Sequence, residues 1–137
     1  MVQPDAEGIA RAMDIALNDA GRPHIDYINA HATSTVLGDA TELEAIRRVF
    51  TPALPVVSST KGLTGHAIAA AGAHEAIYSL LMMHGGFLAA NANLSNTDDN
   101  ESASSLIRTV RHQNIGTVLS NSLGFGGTNV SLVFRRQ

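Results

Sequence analysis

The chain has 137 residues, a formal net charge of −3 and no cysteine. These values predict one globular domain, residues 1–137, with no nucleic-acid or membrane partner and no disulfide framework, so a cytoplasmic location is the default. Only 15% of the residues are charged, below the roughly 25% of ordinary soluble domains, which predicts that other protein covers part of the surface.

The first half of the chain alternates between helix and strand patterns. Residues 4–20 predict a helix with Pro4 in its first turn. Residues 25–30 predict a short strand, residues 39–50 a second helix, and residues 56–59 a second strand. Because the two strands are short, apolar and separated by a helix, we expect them to pair in parallel.

The second half of the chain adds one helix and a strand pair. Residues 67–84 predict a helix so rich in small residues that neighbours can approach it on all sides, which indicates burial. Residues 87–94 predict an extended piece and residues 95–105 a polar surface loop. Residues 115–120 and 130–134 predict two further strands. The layout is that of an α/β domain, although a strand normally precedes the first helix of such a unit.

Three polar segments lie where α/β proteins place their sites, at the ends of strands and in glycine-rich loops. They are residues 29–35, 58–66 and 121–129. If the first two strands are parallel neighbours, His31 and Lys61 lie at the same edge of the sheet. Their convergence would join an imidazole and an ammonium group in one place.

His66 stands at the predicted start of the alanine-rich helix, where the helix dipole disfavours the imidazolium form. A neutral imidazole there can donate a hydrogen bond to a developing oxyanion. Each segment alone also has an ordinary explanation: a structural histidine, a solvated lysine, or a tight turn that needs positive φ. The combination of the three is what favours a functional site.

The three segments resemble motifs of the β-ketoacyl-acyl-carrier-protein synthases. Residues 28–35 with Gly38 and Asp39 resemble the first histidine motif of that family. Residues 59–66 resemble the motif that holds its lysine and second histidine, and residues 121–129 are similar to its glycine-rich turn. Order and spacing agree across nearly the whole chain.

The resemblance implies a thiolase-like α/β fold built of two similar halves, of which this chain is the carboxy-terminal half only. A mixed sheet with an Ala-rich buried helix is then expected, with its first strand missing. The implied activity is acyl transfer by decarboxylating Claisen condensation, which extends acyl chains with malonyl-acyl-carrier protein in fatty-acid synthesis. Two alternatives stay open, a polyketide ketosynthase fragment and a non-catalytic ketosynthase-like partner, although the retained histidines and lysine argue against the second.

The resemblance also implies roles for individual residues. His31 and His66 donate hydrogen bonds to the malonyl thioester oxygen as CO₂ leaves. Lys61 orders the site electrostatically, with Glu42 as its carboxylate partner. The main-chain N–H of Phe125 contributes to the oxyanion hole of the acyl-enzyme, and its side chain gates the acyl pocket.

Four smaller residues complete the implied site. Gly124 and Gly126 flank the gate, so the loop can move and substrate can approach. Thr33 and Thr35 are expected to bind the phosphopantetheine arm of the acyl-carrier protein. No cofactor beyond that carrier-borne arm is expected, and the histidines lack the carboxylate or thiolate neighbours of a metal site.

The sequence departs from the family pattern in three ways. Ala32 stands where the family usually has glycine, so the loop is expected to avoid positive φ there. Leu123 stands where an aromatic residue is common. The cysteine nucleophile is absent, so the isolated chain is expected to be inactive and to need an amino-terminal half that carries it, within an enzyme that is a homodimer. A thiolase reading is disfavoured because that class uses a cysteine base in this half.

Overall fold

The structure is a computed structural model, which describes residues 4–95 and 105–137. The helices in that part of the chain are α1 Ala6–Asp19, α2 Val36–Phe50, α3 Lys61–Thr64 and α4 Ala71–Gly85. The strands there are β1 Tyr27–Asn29, β2 Val56–Ser58, β3 Phe87–Leu88, β4 Arg111–His112, β5 Thr117–Leu123 and β6 Asn129–Arg135.

Four of the strands form one mixed sheet in the order β2-β1-β5-β6. Strand β1 is parallel to both β2 and β5, whereas β5 and β6 form an antiparallel pair. Asn29 at the end of β1 is in register with Ser58 and Ser120. The predicted parallel pairing is confirmed, and the carboxyl ends of three strands meet at one edge.

The sheet separates two apolar clusters because successive strand residues face opposite sides. Ile28 and Leu119 pack with the buried face of α1 and α2. Tyr27 and Val118 pack on the other side with Met82 of α4. The result is a helix–sheet–helix sandwich, and residues that follow β1, β2 and β5 emerge between its layers.

Helix α2 begins three residues earlier than predicted. Thr35 has the extended backbone of an N-cap residue, with φ −101° and ψ 133°. Gly38 lies inside the helix, where a Cβ would collide with the Thr35 hydroxyl. At α1 the cap is Asp5, whose carboxylate accepts from the N–H groups of the following turn. Pro4 therefore precedes the cap, and its predicted place in the first turn is wrong.

The segment between β2 and α4 is more structured than the predicted loop. Residues 61–64 form α3, which Gly65 ends at φ 73°. A short 3-10 turn, Ile68–Ala70, then leads into α4. The predicted stop of this helix is confirmed, because Gly86 adopts the left-handed conformation at its carboxyl end, with φ 66° and ψ 42°.

Helix α4 buries one side only in this chain. Ala71, Glu75 and Ser79 face the sheet, whereas Ile77 and Leu81 are 53% and 56% exposed. The predicted burial of this helix therefore holds for one side only in the chain by itself. We call the exposed apolar residues on and just before this helix the α4 stripe. It consists of Leu63, Ile68, Ile77, Leu80 and Leu81.

The predicted extended piece 87–94 contains β3, whereas its antiparallel pairing with β4 was not predicted. Both strands are two residues long, too short to show a period. Of the predicted surface loop 95–105, residues 96–104 lie outside the described residues. Among the helices that the structure describes, none combines the length and apolar character needed to cross a membrane.

Candidate functional site

The loop after β1 carries His31 and is fixed by a carboxylate of α2. The main-chain N–H groups of His31 and Ala32 donate to the two oxygens of Glu42, each at 2.9 Å. Glu42 is 2% exposed, so these bonds form away from competing water. Ala32 has φ 22°, and the expectation that the loop avoids positive φ there is wrong. Two donors on one carboxylate stabilise the turn despite its Cβ.

A second carboxylate of α2 holds the same loop further along. Ser34 has φ 64°, and its N–H donates to Asp39 Oδ1 at 3.1 Å. Burial raises the pKa of Asp39 above its ordinary value, while the hydrogen bonds from the loop act in the opposite direction. Carboxylates in the first turns of α2 therefore fix the conformation of the loop that carries His31.

The two predicted histidines lie side by side. The ring centroids of His31 and His66 are 5.3 Å apart, and the rings are nearly perpendicular at 87°. Burial lowers the pKa of His31 to about 4, with the positive charges of Lys61 and His66 acting in the same direction. At neutral pH the His31 ring is therefore uncharged.

His66 is exposed, and the main chain that follows selects its tautomer. The N–H of Ile68 donates to His66 Nδ1 at 3.1 Å. Because Nδ1 accepts a hydrogen bond, the neutral ring carries its proton on Nε2 and can donate from there. The expected position at the start of α4 is wrong, since that helix begins at Ala71. A direct main-chain donor replaces the predicted helix dipole.

Lys61 pairs with a different carboxylate from the one predicted. Its ammonium group forms a salt bridge with Glu75 of α4, and both residues are buried, at 8% and 2% exposed. The predicted partner Glu42 is wrong, because its oxygens already accept main-chain N–H groups. Burial raises the pKa of Glu75, and the bond from Lys61 opposes that rise. Glu75 is the lone acidic residue of the alanine-rich segment, a signal that could have identified it.

The two threonines lie beside the histidine loop. Thr33 is half-buried and Thr35 is exposed. Although Thr35 occupies the N-cap position of α2, its side chain makes no capping hydrogen bond. That hydroxyl is therefore not used by the helix it precedes.

The glycine-rich turn between β5 and β6 has the predicted position. Gly124 has extended backbone, and its N–H donates to the carbonyl of Thr128 at 2.7 Å. Gly126 and Gly127 have φ of 76° and 80°, where side chains are strained. The Phe125 side chain is 93% exposed, so in this chain it lies in solvent.

Several buried polar residues lie behind the site, and the sequence analysis assigned them no individual role. Asn121 Nδ2 donates to Glu42 Oε1 at 3.1 Å, and the Ser131 hydroxyl donates to Asn121 Oδ1 at 2.8 Å. Asn29 donates to the carbonyl of Glu75 at 3.3 Å. An asparagine within an otherwise strand-like run was the available signal. Within residues 4–95 and 105–137, no three His, Asp or Glu side chains are grouped so that they could hold a metal ion.

The chain is similar to known proteins over nearly its whole length. It is 46% identical over 136 residues to 3-oxoacyl-[acyl-carrier-protein] synthase 1 of Escherichia coli K12, covering 99% of this chain and 33% of that protein. It thus spans about a third of the length of that relative. A family model described as "Beta-ketoacyl synthase, C-terminal domain" matches residues 1–95.

Solved structures of ketosynthases share the fold. The ishigamide ketosynthase/chain length factor superposes with a TM-score of 0.93 at 34% identity, covering 98% of this chain and 34% of that one. A type II polyketide acyl-carrier protein in complex with its ketosynthase bound to the hexaketide gives a TM-score of 0.89 at 31% identity, covering 100% of this chain and 35% of that one. The fold is therefore thiolase-like, as the resemblance implied, and the chain belongs to the β-ketoacyl synthase family, whose carboxy-terminal domain it carries.

Proposed function

We propose that this chain supplies the His31, His66 and Lys61 part of an active site that decarboxylates malonyl-acyl-carrier protein and extends an acyl chain. The supporting observation is the right-angled pair of imidazole rings, 5.3 Å apart, at the edge of the sheet. One ring is held uncharged by its surroundings, and the other accepts the Ile68 N–H at Nδ1, which leaves its Nε2 as the donor. Two imidazole N–H donors side by side suit an oxygen that gains negative charge.

The chemistry follows from that pair of donors. As the bond to the malonyl carboxylate breaks, CO₂ leaves and its electron pair moves through the α-carbon to the thioester oxygen, giving an enolate. Hydrogen bonds from His31 and His66 stabilise this oxygen more than the neutral carbonyl of the substrate. The enolate carbon then attacks the acyl thioester, and the thiolate that held the acyl group leaves.

Lys61 supports the same step through its charge. Its positive charge acts on His31 and lowers the pKa of that ring further than burial alone. The salt bridge with Glu75 holds the ammonium group in place and compensates its burial. We assign Lys61 the role of keeping the donor neutral, and Glu75 the role of holding Lys61.

Substrate delivery rests on the proposed acyl-carrier partner. The free hydroxyl of Thr35 and the neighbouring Thr33 are available to the phosphopantetheine arm, and no other cofactor is part of the proposal. The structural relative that contains a ketosynthase with its acyl-carrier protein supports this partner. Phe125 is proposed as the gate and main-chain oxyanion donor, with Gly124 and Gly126 allowing its movement.

The covalent half of the reaction needs a thiolate that these 137 residues lack. We propose that an amino-terminal polypeptide supplies it and covers the α4 stripe, in an enzyme that is a homodimer in the cytoplasm. The isolated chain is then inactive. The five exposed apolar residues of the α4 stripe support a protein partner there.

The test uses a fusion in which this chain replaces the matching third of the Escherichia coli relative. We expect CO₂ release from malonyl-acyl-carrier protein, which falls about 10²–10³-fold in His31→Ala and in His66→Ala, since one oxyanion donor typically contributes that much. His84→Ala, on the exposed end of α4, is the control and should retain full activity. Unchanged CO₂ release in both histidine variants would refute the proposal.

The pathway is a separate question with its own measurement. Identity to a 3-oxoacyl-[acyl-carrier-protein] synthase favours fatty-acid synthesis, whereas polyketide ketosynthases share the fold. Presenting the fusion with saturated acyl and with polyketone primers separates the two. Preferential extension of the polyketone primer would assign the chain to the polyketide class.

A further inference from the structure

A buried chain of hydrogen bonds runs from the last strand of the sheet to the histidine loop. The Ser131 hydroxyl on β6 donates to Asn121 Oδ1 on β5 at 2.8 Å. Asn121 Nδ2 donates to Glu42 Oε1 at 3.1 Å. Glu42 then accepts the N–H groups of His31 and Ala32 at 2.9 Å. Three structural elements are thus joined to one catalytic loop.

We infer that Asn121 is a positioning residue for His31: acting through Glu42, it holds the His31–Ala32 turn in the conformation that presents the imidazole to His66. This inference rests on the proposed function for its kinetic consequence only. The geometric part concerns the turn itself. It assigns a role to a residue outside the three residues that carry the proposed chemistry.

The chemistry of the network requires an amide at position 121. Both Glu42 oxygens accept main-chain N–H groups, so the residue facing Oε1 must donate. The Ser131 hydroxyl donates in the opposite direction, so the same residue must also accept. Asn121 is 0% exposed, and its amide meets both demands, with Nδ2 also 3.6 Å from Met13 Sδ. A carboxylate there would face a carboxylate, and an apolar side chain would leave Glu42 and Ser131 unpartnered.

The turn needs this support because Ala32, which has a Cβ, stands at positive φ. Ala32 has φ 22°, a conformation that its Cβ disfavours. The N–H groups of His31 and Ala32, both directed at Glu42, stabilise the turn against this preference. With the Asn121 bond lost, Glu42 Oε1 is less firmly placed, and the turn can relax toward ordinary φ. His31 would then move relative to His66.

The network also connects two catalytic loops. Asn121 lies on β5, four residues before Phe125, and Ser131 lies on the strand that follows the glycine-rich turn. The histidine loop is therefore placed relative to the β5–β6 hairpin as well as to its own strand. Asn121 couples the two.

The first test measures the turn without any substrate. Amide hydrogen exchange is followed in the 137-residue chain for wild type and Asn121→Ala. We expect the His31 and Ala32 amides to exchange about tenfold faster in the variant. Glu42, which accepts both hydrogen bonds, is then held less firmly, so these bonds open more often. Tyr27→Phe, which removes a buried hydrogen bond to Ser58 on the same sheet, is the control and should leave these two amides unchanged.

The second test measures CO₂ release in the fusion with the Escherichia coli relative. Asn121→Ala should lower kcat by about 10–100-fold with little change in KM, because misplacing a catalytic group by about 1 Å can cost up to about 10²-fold. Adding Ala32→Gly should recover about fivefold, because glycine adopts positive φ without strain. A purely structural role for Asn121 predicts no such recovery.

The outcomes separate the two proposals. If the wild-type fusion releases no CO₂, the proposed function fails, whereas amide exchange still tests the role of Asn121. Unchanged exchange at His31 and Ala32, or equal acceleration throughout β1 and β5, overturns the positioning role. If Asn121→Ala does not fold, Ser131→Ala removes only the outer link. Ser131→Ala should accelerate amide exchange at His31 and Ala32 as well, by a smaller factor. Unchanged exchange at these two amides in Ser131→Ala would overturn the inference.

Discussion

The loop that carries His31 and the turn that carries Phe125 leave the same edge of the sheet, yet they are built in opposite ways. The histidine loop places Ala32 and Ser34 at positive φ and holds both through carboxylates of α2. The Phe125 turn places glycines at positive φ and has a main-chain bond between Gly124 and Thr128. Side-chain hydrogen bonds hold the histidine loop in its conformation, whereas the Phe125 turn adopts its conformation without them. This difference suits the two proposed roles, a fixed donor at His31 and a movable gate at Phe125.

The largest effect on stability is expected at the buried salt bridge between Lys61 and Glu75, beside the histidine loop. Lys61→Met leaves Glu75 buried without its partner, which should lower the free energy of unfolding by about 3–5 kcal/mol. Urea unfolding measures this change. In the double variant Lys61→Met/Glu75→Leu most of the loss should disappear, because no uncompensated charge remains. Equal losses in the single and double variants would show that the pair itself, rather than the orphaned carboxylate, determines stability.

The second prediction removes the carboxylate that holds the histidine loop. Glu42→Gln leaves one oxygen for three donors, so at least one buried N–H loses its acceptor. We expect a loss of about 2–3 kcal/mol in urea unfolding. The matched control is Glu44→Gln on the exposed side of the same helix, where ion pairs with Arg47 and Arg48 should contribute about 0.5 kcal/mol or less. Similar losses at the two positions would contradict the special role of Glu42.

The third prediction concerns pH. The pKa of His31 falls from 6.5 in the unfolded chain to about 4 in the fold. Between those values the unfolded chain binds a proton that the folded chain does not, so folding stability declines as pH decreases from 6.5 toward 4. After allowance for partial exposure, the decline should be about 1–2 kcal/mol. Urea unfolding at pH 7, 6 and 5 measures it. His31→Gln should remove that part of the slope, and an unchanged slope would contradict the assignment.

The fourth prediction probes the glycine-rich turn. Gly126 has φ 76° with open space around its Cα, so Gly126→Ala meets backbone strain without steric collision. The expected loss is about 1 kcal/mol in urea unfolding. Gly116→Ala, where an added Cβ makes an ordinary contact with Asp26, should change stability by less. A loss well above 2 kcal/mol at Gly126 would indicate that this turn is held as firmly as the histidine loop.

The smallest effect on stability is expected at Phe125, the proposed gate. Phe125 is 93% exposed in this chain, so Phe125→Ala should change the free energy of unfolding by about 0.5 kcal/mol or less. Urea unfolding of the chain measures this value, and acyl-chain preference of the fusion measures the gate. A large stability loss would place the side chain in a packed contact and remove the contrast between the two loops.

The sequence predicted well those features that depend on periodicity and punctuation. The parallel pairing of β1 with β2 followed from two short apolar runs separated by a helix. The convergence of His31 and Lys61 followed from that pairing, because both residues come soon after strand ends. The end of α4 followed from its glycines, since Gly86 supplies the left-handed residue.

Features that depend on tertiary distance were not accessible in the same way. Glu42 and Glu75 are both acidic helix residues, and only the packing of α2 and α4 decides which of them meets Lys61. Positive φ at Ala32 is opposed by local preference and exists because of a distant carboxylate. The start of α2 at Val36 was obscured because Ser34, Thr35 and Asp39 are all good cap residues. Asn121 was recognisable as a polar residue in a strand-like run, but the sequence does not indicate that its partner is Glu42.

The α4 stripe has a thermodynamic consequence for any association that covers it. Ile68 and Leu63 are each 82% exposed, so docking removes a large apolar area from water. Such removal lowers the heat capacity of the system. Titration calorimetry of the chain with a protein that binds this side should therefore give an enthalpy that becomes steadily more negative on warming.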